Sequence, residues 1–179
     1  MAEAFINQVN RAVGIVTSSS NASIGIGLTW MSGISTAHVA IHDLVDNANF
    51  IAGTKVTLVG VSSVQLDRAS TNTVAATASN VSFLGPTTSY SSASATKSIL
   101  IGGTFANNTA NSVNLTVTVY DNSAESESHL AAKIPVPTGS SFVISDAGKT
   151  VLEGNDEVRV YCDTENAIDV NLSILKGVS

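Results

Sequence analysis

Apolar and polar residues alternate most regularly in the second half of the chain. Apolar side chains occupy every second position from Val113 to Val119, and again from Ile168 to Ile174. A period of two places successive side chains on opposite faces of a β-strand. Both segments are therefore predicted to be half-buried strands, and the second is expected to be fixed in a sheet close to the C-terminus.

Shorter segments with the same alternation surround these two strands. Turn-forming Asn, Asp, Gly and Pro residues separate them. Short strands with closely spaced turns are typical of a jelly roll or an immunoglobulin-like sandwich, so residues 79–179 are predicted to form an antiparallel β-sandwich domain. The additional strands are predicted at Val81–Leu84, Ser98–Phe105, His129–Val136, Ser141–Ile144 and Glu157–Cys162.

Residues 36–78 predict a small β-hairpin unit. The apolar segments Val39–Val45, Lys55–Val59 and Val64–Leu66 are separated by short polar sequences that favour turns. These segments can also contribute strands directly to the main sandwich, and the sequence leaves both arrangements open. In either case the fold class is all-β.

The first 35 residues predict an extended N-terminal arm. Apolar positions between residues 5 and 16 fit a short helix, whereas Gly14–Val16 fits the start of a strand, and both readings remain open. Residues 17–35 are rich in Ser and Gly, which is typical of a connecting segment. Large apolar residues on such an arm are candidate contacts with another subunit, and packing on the chain's own core is the alternative. These residues are Phe5, Ile6, Val9 and Trp30.

Two tyrosines complete the candidate interface. Tyr120 and Tyr161 alternate with apolar neighbours, so their side chains are expected to point outward from their sheets. Outward aromatic residues are common in protein interfaces. Aromatic residues are otherwise scarce, with one Trp and three Tyr in the chain. This scarcity disfavours a stacking platform for carbohydrate.

The charge content argues against several classes of partner. Charged residues make up 12% of the chain, about half the usual share, and the net charge is −6 with no cluster of Lys or Arg. Nucleic acid is therefore not an expected partner. The N-terminus lacks a signal-like apolar segment and no apolar run reaches 18 residues, so we expect synthesis in a cytoplasm and no membrane partner. The single Cys162 lies in an apolar alternation and is predicted to be buried.

No catalytic, cofactor or metal site is predicted. His38 and His42 are four residues apart, which in a strand separates them by about 13 Å, too far to share a zinc ion. The acidic and amide residues between positions 43 and 49 lack the glycine and the closing glutamate of a calcium loop, so turn formation explains them better. Gly-x-Ser-x-Gly and the glycine motifs that bind phosphate do not occur. We therefore expect a non-enzymatic protein.

The turn Gly154-Asn155-Asp156 lies in a longer motif. It is contained in Val151–Val160, with Ile134–Gly139 before it and Ile168–Leu175 after it. These segments resemble a recurring module in structural proteins of tailed bacteriophages. The middle segment Leu44–Gly60 is similar to small β repeats in the same class of protein, particularly in phages of marine bacteria and cyanobacteria. Together the resemblances cover about two thirds of the chain.

The resemblance implies a virion protein present in many identical copies on a capsid, neck or tail, where symmetry multiplies weak contacts. The implied partners are other virion proteins and further copies of this chain, bound through the arm and the sheet edges. Asn155 departs from the pattern, in which Gly directly precedes Asp, and this affects the expected turn geometry. The alternative is a host-recognition or carbohydrate-binding module of a phage fibre, which requires an aromatic and amide site on exposed loops.

Overall fold

The computed structural model describes residues 3–71, 79–145 and 149–178. All regular elements in these ranges are β-strands and every strand pair is antiparallel, so the all-β prediction is confirmed. In the same ranges no helix has the length and apolar character needed to span a membrane. The strands are β1 Ala4–Val13, β2 Ile15–Ala22, β3 Trp30–Ser32, β4 Leu44–Asp46, β5 Val56–Val59, β6 Ser63–Leu66, β7 Ser79–Gly85, β8 Thr87–Ser91, β9 Lys97–Asn107, β10 Val113–Asp121, β11 Ser126–Val136, β12 Ser141–Ile144, β13 Thr150–Leu152, β14 Glu157–Cys162 and β15 Ile168–Val178.

These strands divide into two compact units. The first unit contains Met1–Gly14 and Thr87–Ser179, and the second contains Ile15–Pro86. The second unit is therefore an insertion after β1, and the chain crosses between the units at Gly14 and at Pro86 rather than near residues 35 and 78. Gly14 has a φ of 136°, and a Cβ atom there would clash with the carbonyl oxygen of Thr164, so this crossing requires glycine.

The first unit contains two antiparallel sheets. One has the order β1-β15-β9-β12, with β13 also paired to β9, and the other has the order β11-β10-β14-β8. Both sheets contribute side chains to a single core. The alternate apolar side chains that were predicted to be buried in β10 and β15 are buried in this core. The fully buried side chains of this core include Leu100, Phe105, Leu115, Val117, Val158, Val160, Ile168, Leu172 and Ile174.

Most strand predictions in the C-terminal half are confirmed. β12 and β14 have the predicted bounds, and the two most regular segments lie within β10 and β15. The segment Val81–Leu84 is also a strand, but it lies in β7 of the second unit, where it pairs with β2 and β4. β8 escapes prediction because its sequence, Thr-Thr-Ser-Tyr-Ser, has hardly any apolar alternation.

A buried carboxylate fixes the turns at one end of the first unit. The Asp156 carboxylate accepts hydrogen bonds from the backbone N–H of Glu153 at 2.9 Å and of Asn122 at 3.1 Å. Asn155 adopts a φ of 68°, the left-handed conformation that Asn tolerates. The sequence motif is thus a turn, and the Asp156 carboxylate closes it from the C-terminal end, directly before β14. The same side chain also ties this turn to the one between β10 and β11.

The second unit has two three-stranded sheets, β2-β7-β4 and β3-β6-β5. The strands predicted at Lys55–Val59 and Val64–Leu66 are confirmed as β5 and β6, and these two strands pair with each other. The strand predicted at Val39–Val45 is wrong before Leu44, because His38 and His42 adopt φ values of 66° and 78° in two turns. Buried apolar residues include Met31, Ile34, Val39, Val45, Val56, Val64 and Phe83.

The first 35 residues do not form an extended arm. β1 pairs with β15 from Ala4, opposite Lys176, to Asn10, opposite Val170, and β2 pairs with β7. The helical reading of residues 5–16 is wrong for the same reason. The sequence is ambiguous here because the partly buried positions of β1 include Gln8 and Asn10 as well as Ile6, so hydrophobicity alone does not reveal a period of two.

The acidic and amide residues between positions 43 and 49 form turns, as expected. Asn47 accepts a hydrogen bond from the backbone N–H of Asn49 at 2.8 Å and donates one to the carbonyl of Asn80 at 2.8 Å. Asp43 is buried and accepts a hydrogen bond from the backbone N–H of Ala40 at 2.8 Å. Burial raises the pKa of the Asp43 carboxyl above 3.8, and this hydrogen bond and the nearby His42 act in the opposite direction.

Replacing Asp43 with Asn is expected to stabilise the second unit at pH 7. The native state holds this proton more tightly than the unfolded chain, so the linked stability is present below the unfolded pKa and is lost as the pH rises through the raised native pKa. The neutral amide of Asp43→Asn carries no such loss. Thermal unfolding at pH 3 and pH 7, followed by the fluorescence of the single Trp30, measures the difference. A variant less stable than the parent at pH 7 contradicts this account.

Candidate assembly interface

β1 is the outermost strand of its sheet. Within the described part of the chain it pairs with β15 alone, and the pairing is regular from Ala4 to Asn10, with an irregularity only between Asn10 and Val13. The backbone N–H and C=O groups on the other side of an edge strand have no sheet partner, which makes such an edge a template for a further strand. The straight part of β1 is thus an open edge.

The outward side of β1 carries two of the residues predicted to bind another subunit. Phe5 is 77% exposed and Val9 is 60% exposed, with the exposed Asn7 between them. Ile6 points to the other side, where it is partly buried and packs against the core of the first unit. Successive side chains of a strand point to opposite faces of the sheet, so Phe5 and Ile6 lie on opposite faces although they are neighbours in the chain.

Three rows of outward side chains in this sheet are uncharged, and we call these three rows the assembly face. Residues that are paired in a sheet share a face, so the registers of β1, β15, β9, β12 and β13 place these side chains together. One row across the sheet is wholly apolar. It consists of Phe5, Leu175, Ile99 and Val151, and the remaining members of the face are Asn7, Ser173 and Gly102 in a second row and Val9, Asn171, Thr104 and Val143 in a third.

Sequence reasoning misses most of this face. Ile99 and Leu175 lie beside core residues of the same strand, so their apolar character is easily attributed to the core. Such residues can be recognised where apolar residues occupy consecutive positions of a strand, as in Ile99 followed by Leu100, because consecutive side chains point to opposite faces. Such a strand is apolar on both faces, which is unusual for a sheet with one face in solvent.

The edge of the opposite sheet differs from that of β1. β11 is interrupted by register shifts against β10, contains Pro135, and has Lys133 at a φ of 49°. Bulges, proline and lysine are common devices that prevent a further strand from pairing with a sheet edge. The regular part of β1 has none of them. The edge formed by β1 is therefore more open to a further strand than the edge formed by β11.

The two predicted interface tyrosines lie on the outward side of their sheet, where Tyr161 is fully buried and Tyr120 is partly buried. Tyr161 is fully buried, and its hydroxyl donates a hydrogen bond to Glu127 at 2.9 Å, while Thr118 donates to the same carboxylate. Burial, reinforced by the Glu127 carboxylate, raises the pKa of the Tyr161 hydroxyl. The Tyr120 ring lies under the Arg159 guanidinium, whose carbon is 3.8 Å from the ring centroid. Both tyrosines therefore stabilise their own sheet.

Trp30 belongs to the second unit and is 47% exposed. It pairs across the sheet with Gln65, which also lies opposite Leu58 of β5. The exposed Ile26 and Leu28 precede it in the chain. Trp30, Gln65 and Leu58 therefore share one face of their sheet, with the amide between the two apolar side chains.

The described ranges hold no group of three or more His, Cys, Asp or Glu side chains that could bind a metal ion. An open cleft of about 500 Å³ beside β1 is lined by three Ser and Thr residues, by Ile6 and Ala93, and by Gln8, Tyr90 and Lys176. A second cleft, of about 340 Å³, contains Lys97 and Glu153, whose charged groups bind each other at 2.8 Å. Neither cleft places a nucleophile beside a base.

Cys162 is fully buried, as predicted. Burial disfavours the thiolate and raises the pKa of the thiol to about 11. The native protein should therefore react slowly with thiol reagents, and the rate of Cys162 labelling reports on the opening of the first unit.

A scan against protein-family models finds no match for this chain, and neither do searches of curated proteins and of solved structures. The function is therefore argued from the strand order and the surfaces described above. Of these surfaces, the open edge of β1 and the adjoining assembly face combine free backbone groups with exposed apolar side chains.

Proposed function

We propose that this chain is a non-enzymatic structural protein of a tailed-phage virion, made in the host cytoplasm and built into the particle in many copies. Its partners are other virion proteins and further copies of the chain, bound through the edge of β1 and the assembly face. The observation that carries this proposal is the exposure of Phe5 and Val9 on an open edge strand. Exposed apolar groups of this size on a sheet edge are a liability in a free monomer and are useful in an assembly.

The strand order supports the proposal, since it is the order of a jelly-roll sandwich. If β1, β8, β9, β10, β11, β12, β14 and β15 are counted as the first to the eighth strand, the pairs are first with eighth, second with seventh, third with sixth and fourth with fifth. This is a long hairpin rolled into two sheets. Jelly rolls are common in viral capsid proteins and in lectins. The fold alone does not assign the function, so the surfaces have to decide between these classes.

The distribution of charge also favours assembly through this face. A chain with a net charge of −6 repels its own copies at long range. The three rows of the assembly face carry no charged side chain, and the two charged residues that flank them on β1, Glu3 and Arg11, have opposite signs. The centres of protein interfaces are depleted in charge in the same way.

The proposal is tested on purified virions of the phage that encodes the chain. Particles are banded on a density gradient, and quantitative mass spectrometry measures the number of copies of the chain per particle against the major capsid protein. Gold-labelled antibody raised against the recombinant protein then gives the location. We expect multiple copies per particle at a symmetry-related site. An abundant host protein serves as the control for contamination of the particles. If the chain stays in the unbanded lysate and the banded particles contain no more of it than of this host protein, the proposal is overturned.

The second candidate is a host-recognition or carbohydrate-binding module of a phage fibre. The half-exposed Trp30 beside Gln65 favours it, because an indole face with a neighbouring amide can stack on a sugar and hydrogen-bond to it. Titration of the recombinant protein with host surface glycans, followed by Trp30 fluorescence, tests this candidate. A saturable change that is lost in Trp30→Ala favours the glycan module, and the absence of any change up to millimolar glycan favours the structural protein.

A further inference from the structure

The residues from Glu3 to Arg11 are self-complementary about Asn7. In an antiparallel pair of two β1 strands centred on Asn7, each residue lies opposite the one equally far on the other side of Asn7. Glu3 of one copy then lies opposite Arg11 of the other, and Phe5 lies opposite Val9. The two-fold symmetry of this pair produces both the Glu3–Arg11 contact and the Phe5–Val9 contact twice. Opposite charges and aromatic-to-β-branched pairs are favourable when they face each other across strands.

We propose that two copies of this chain bind each other through their β1 strands, antiparallel and about a two-fold axis at Asn7. This inference rests on the proposed function and deepens it by naming the partner and the register. The strand is regular from Ala4 to Asn10, its outer edge has no strand partner within the described ranges, and Glu3 and Arg11 flank this regular part at its two ends. Glu3, Asn7 and Arg11 are exposed along with Phe5 and Val9.

The alternative registers are less favourable. A shift by two residues places Phe5 opposite Asn7 or opposite Arg11 of the other copy, and in both cases Glu3 loses its partner. A parallel pair places Glu3 beside Glu3 and Arg11 beside Arg11. A shift by one residue turns the apolar side chains of one copy to the wrong face. The centred antiparallel register is the one that satisfies the charges and the apolar residues together.

The paired strands also join the two assembly faces. The sheets of both copies become one continuous sheet, and the apolar row that ends at Phe5 in one copy continues to Val9 of the second copy. The contact is isologous, so pairing uses the β1 edge of both copies and closes. The other edge of this sheet is formed by β12 and β13, which are only four and three residues long, and very short edge strands are poor templates for a further strand. The inference therefore gives a dimer as the building block rather than an open fibre.

Disulfide cross-linking tests the register. Across an antiparallel pair the Cα atoms of Asn7 in the two copies are about 4.5–5.5 Å apart, within the reach of a disulfide. Asn7→Cys is therefore expected to form a covalent dimer on mild oxidation. Phe5→Cys and Val9→Cys are matched controls, since each lies about 13 Å from its own equivalent and should not form a homodimer. A mixture of these two variants should form the mixed disulfide dimer, and the buried Cys162 should stay reduced.

Charge reversal tests the ion pairs without oxidation. Sedimentation velocity over a range of concentrations gives the dimer dissociation constant of the full chain. Glu3→Lys is expected to weaken dimerisation roughly tenfold, because both ion pairs become repulsive, and Glu3→Lys combined with Arg11→Glu should restore it. Both positions are exposed, so folding should be unaffected, and Trp30 fluorescence and circular dichroism check this.

A chain that stays monomeric up to millimolar concentration overturns this inference. A homodimer cross-linked through Phe5→Cys or Val9→Cys and not through Asn7→Cys overturns it as well, because it demands another register. These outcomes are separate from those of the virion experiment. If the chain is present in many copies on particles but is monomeric in solution, the proposed function is supported and the dimer is overturned. If the chain dimerises but is absent from particles, the dimer is supported and the proposed function is overturned.

Discussion

Replacing Phe105 with Ala is expected to destabilise the first unit by about 3–5 kcal/mol. The Phe105 side chain is fully buried in the core between the two sheets, and its ring centroid lies 6.1 Å from that of Phe142. Truncation removes the buried ring and leaves a cavity that the paired strands on both sides of β9 cannot fill. Urea denaturation followed by the rate of Cys162 labelling measures the free energy of unfolding of this unit.

Val143→Ala is the matched control for this change. Val143 is on β12 of the same sheet, opposite Thr104 of β9, but its side chain points outward and is 56% exposed. The expected loss is within about 0.5 kcal/mol, as is usual for surface positions. If Phe105→Ala and Val143→Ala lower the stability equally, the assignment of inner and outer faces in this sheet is contradicted.

Replacing Asp156 with Ala is expected to cost about 3 kcal/mol, the second largest effect. The carboxylate is buried and accepts backbone hydrogen bonds from two separate turns, at Glu153 and Asn122. Hydrogen bonds to a charged group contribute about 1.5–3 kcal/mol each, and the loss of the acceptor leaves two backbone N–H groups unsatisfied. Denaturant unfolding gives the total, and hydrogen exchange at Asn122 and Glu153 shows where it arises.

The matched control is Glu165→Ala, which removes an exposed carboxylate from another turn of the same unit. A change within about 0.5 kcal/mol is expected there. Asp156→Asn should fall between the two, because the amide oxygen retains one acceptor and loses the charge. Faster exchange confined to the Glu153 turn, with Asn122 unaffected, would contradict the role of Asp156 as a link between the turns.

The sequence predicts much of the first unit because its inner strands follow the simplest rule. In β10, β14 and β15 the alternate apolar side chains all reach one core, so a period of two is visible in the residues themselves. Strands with weak alternation are harder to identify. β8 is nearly free of apolar residues, and its place in the sheet depends on pairing with β14, far away in the chain.

The insertion of the second unit could not be predicted from local patterns. β1 is separated from its partner β15 by almost the whole chain, and no periodicity encodes such a pairing. The crossings do have local marks, since Gly14 adopts a conformation that favours glycine and Gly85 is followed by Pro86. These marks are typical of many turns. They identify a boundary only once the strand order is known.

The candidate interface stays a prediction. Phe5 and Val9 are exposed, as an assembly surface requires, whereas Ile6 is partly buried and Tyr161 is fully buried. The outward direction of Tyr161 follows from its position in the strand, but its burial depends on Glu127 and Thr118 of neighbouring strands. Glu3 and Arg11 become candidate contacts only because the strand between them has an open edge. In a helix or a free arm, their symmetric positions about Asn7 would not place them opposite each other in a second copy.

The measurement that tests the central claim most directly is hydrogen exchange as a function of protein concentration. Peptides that cover Ala4–Asn10 report on the open edge, and peptides from β11 provide an internal reference on the interrupted edge. If the chain assembles through β1, exchange in Ala4–Asn10 slows as the concentration rises, while exchange in β11 does not change. Exchange in Ala4–Asn10 that is independent of concentration, or protection that develops in β11 instead, contradicts assembly through β1.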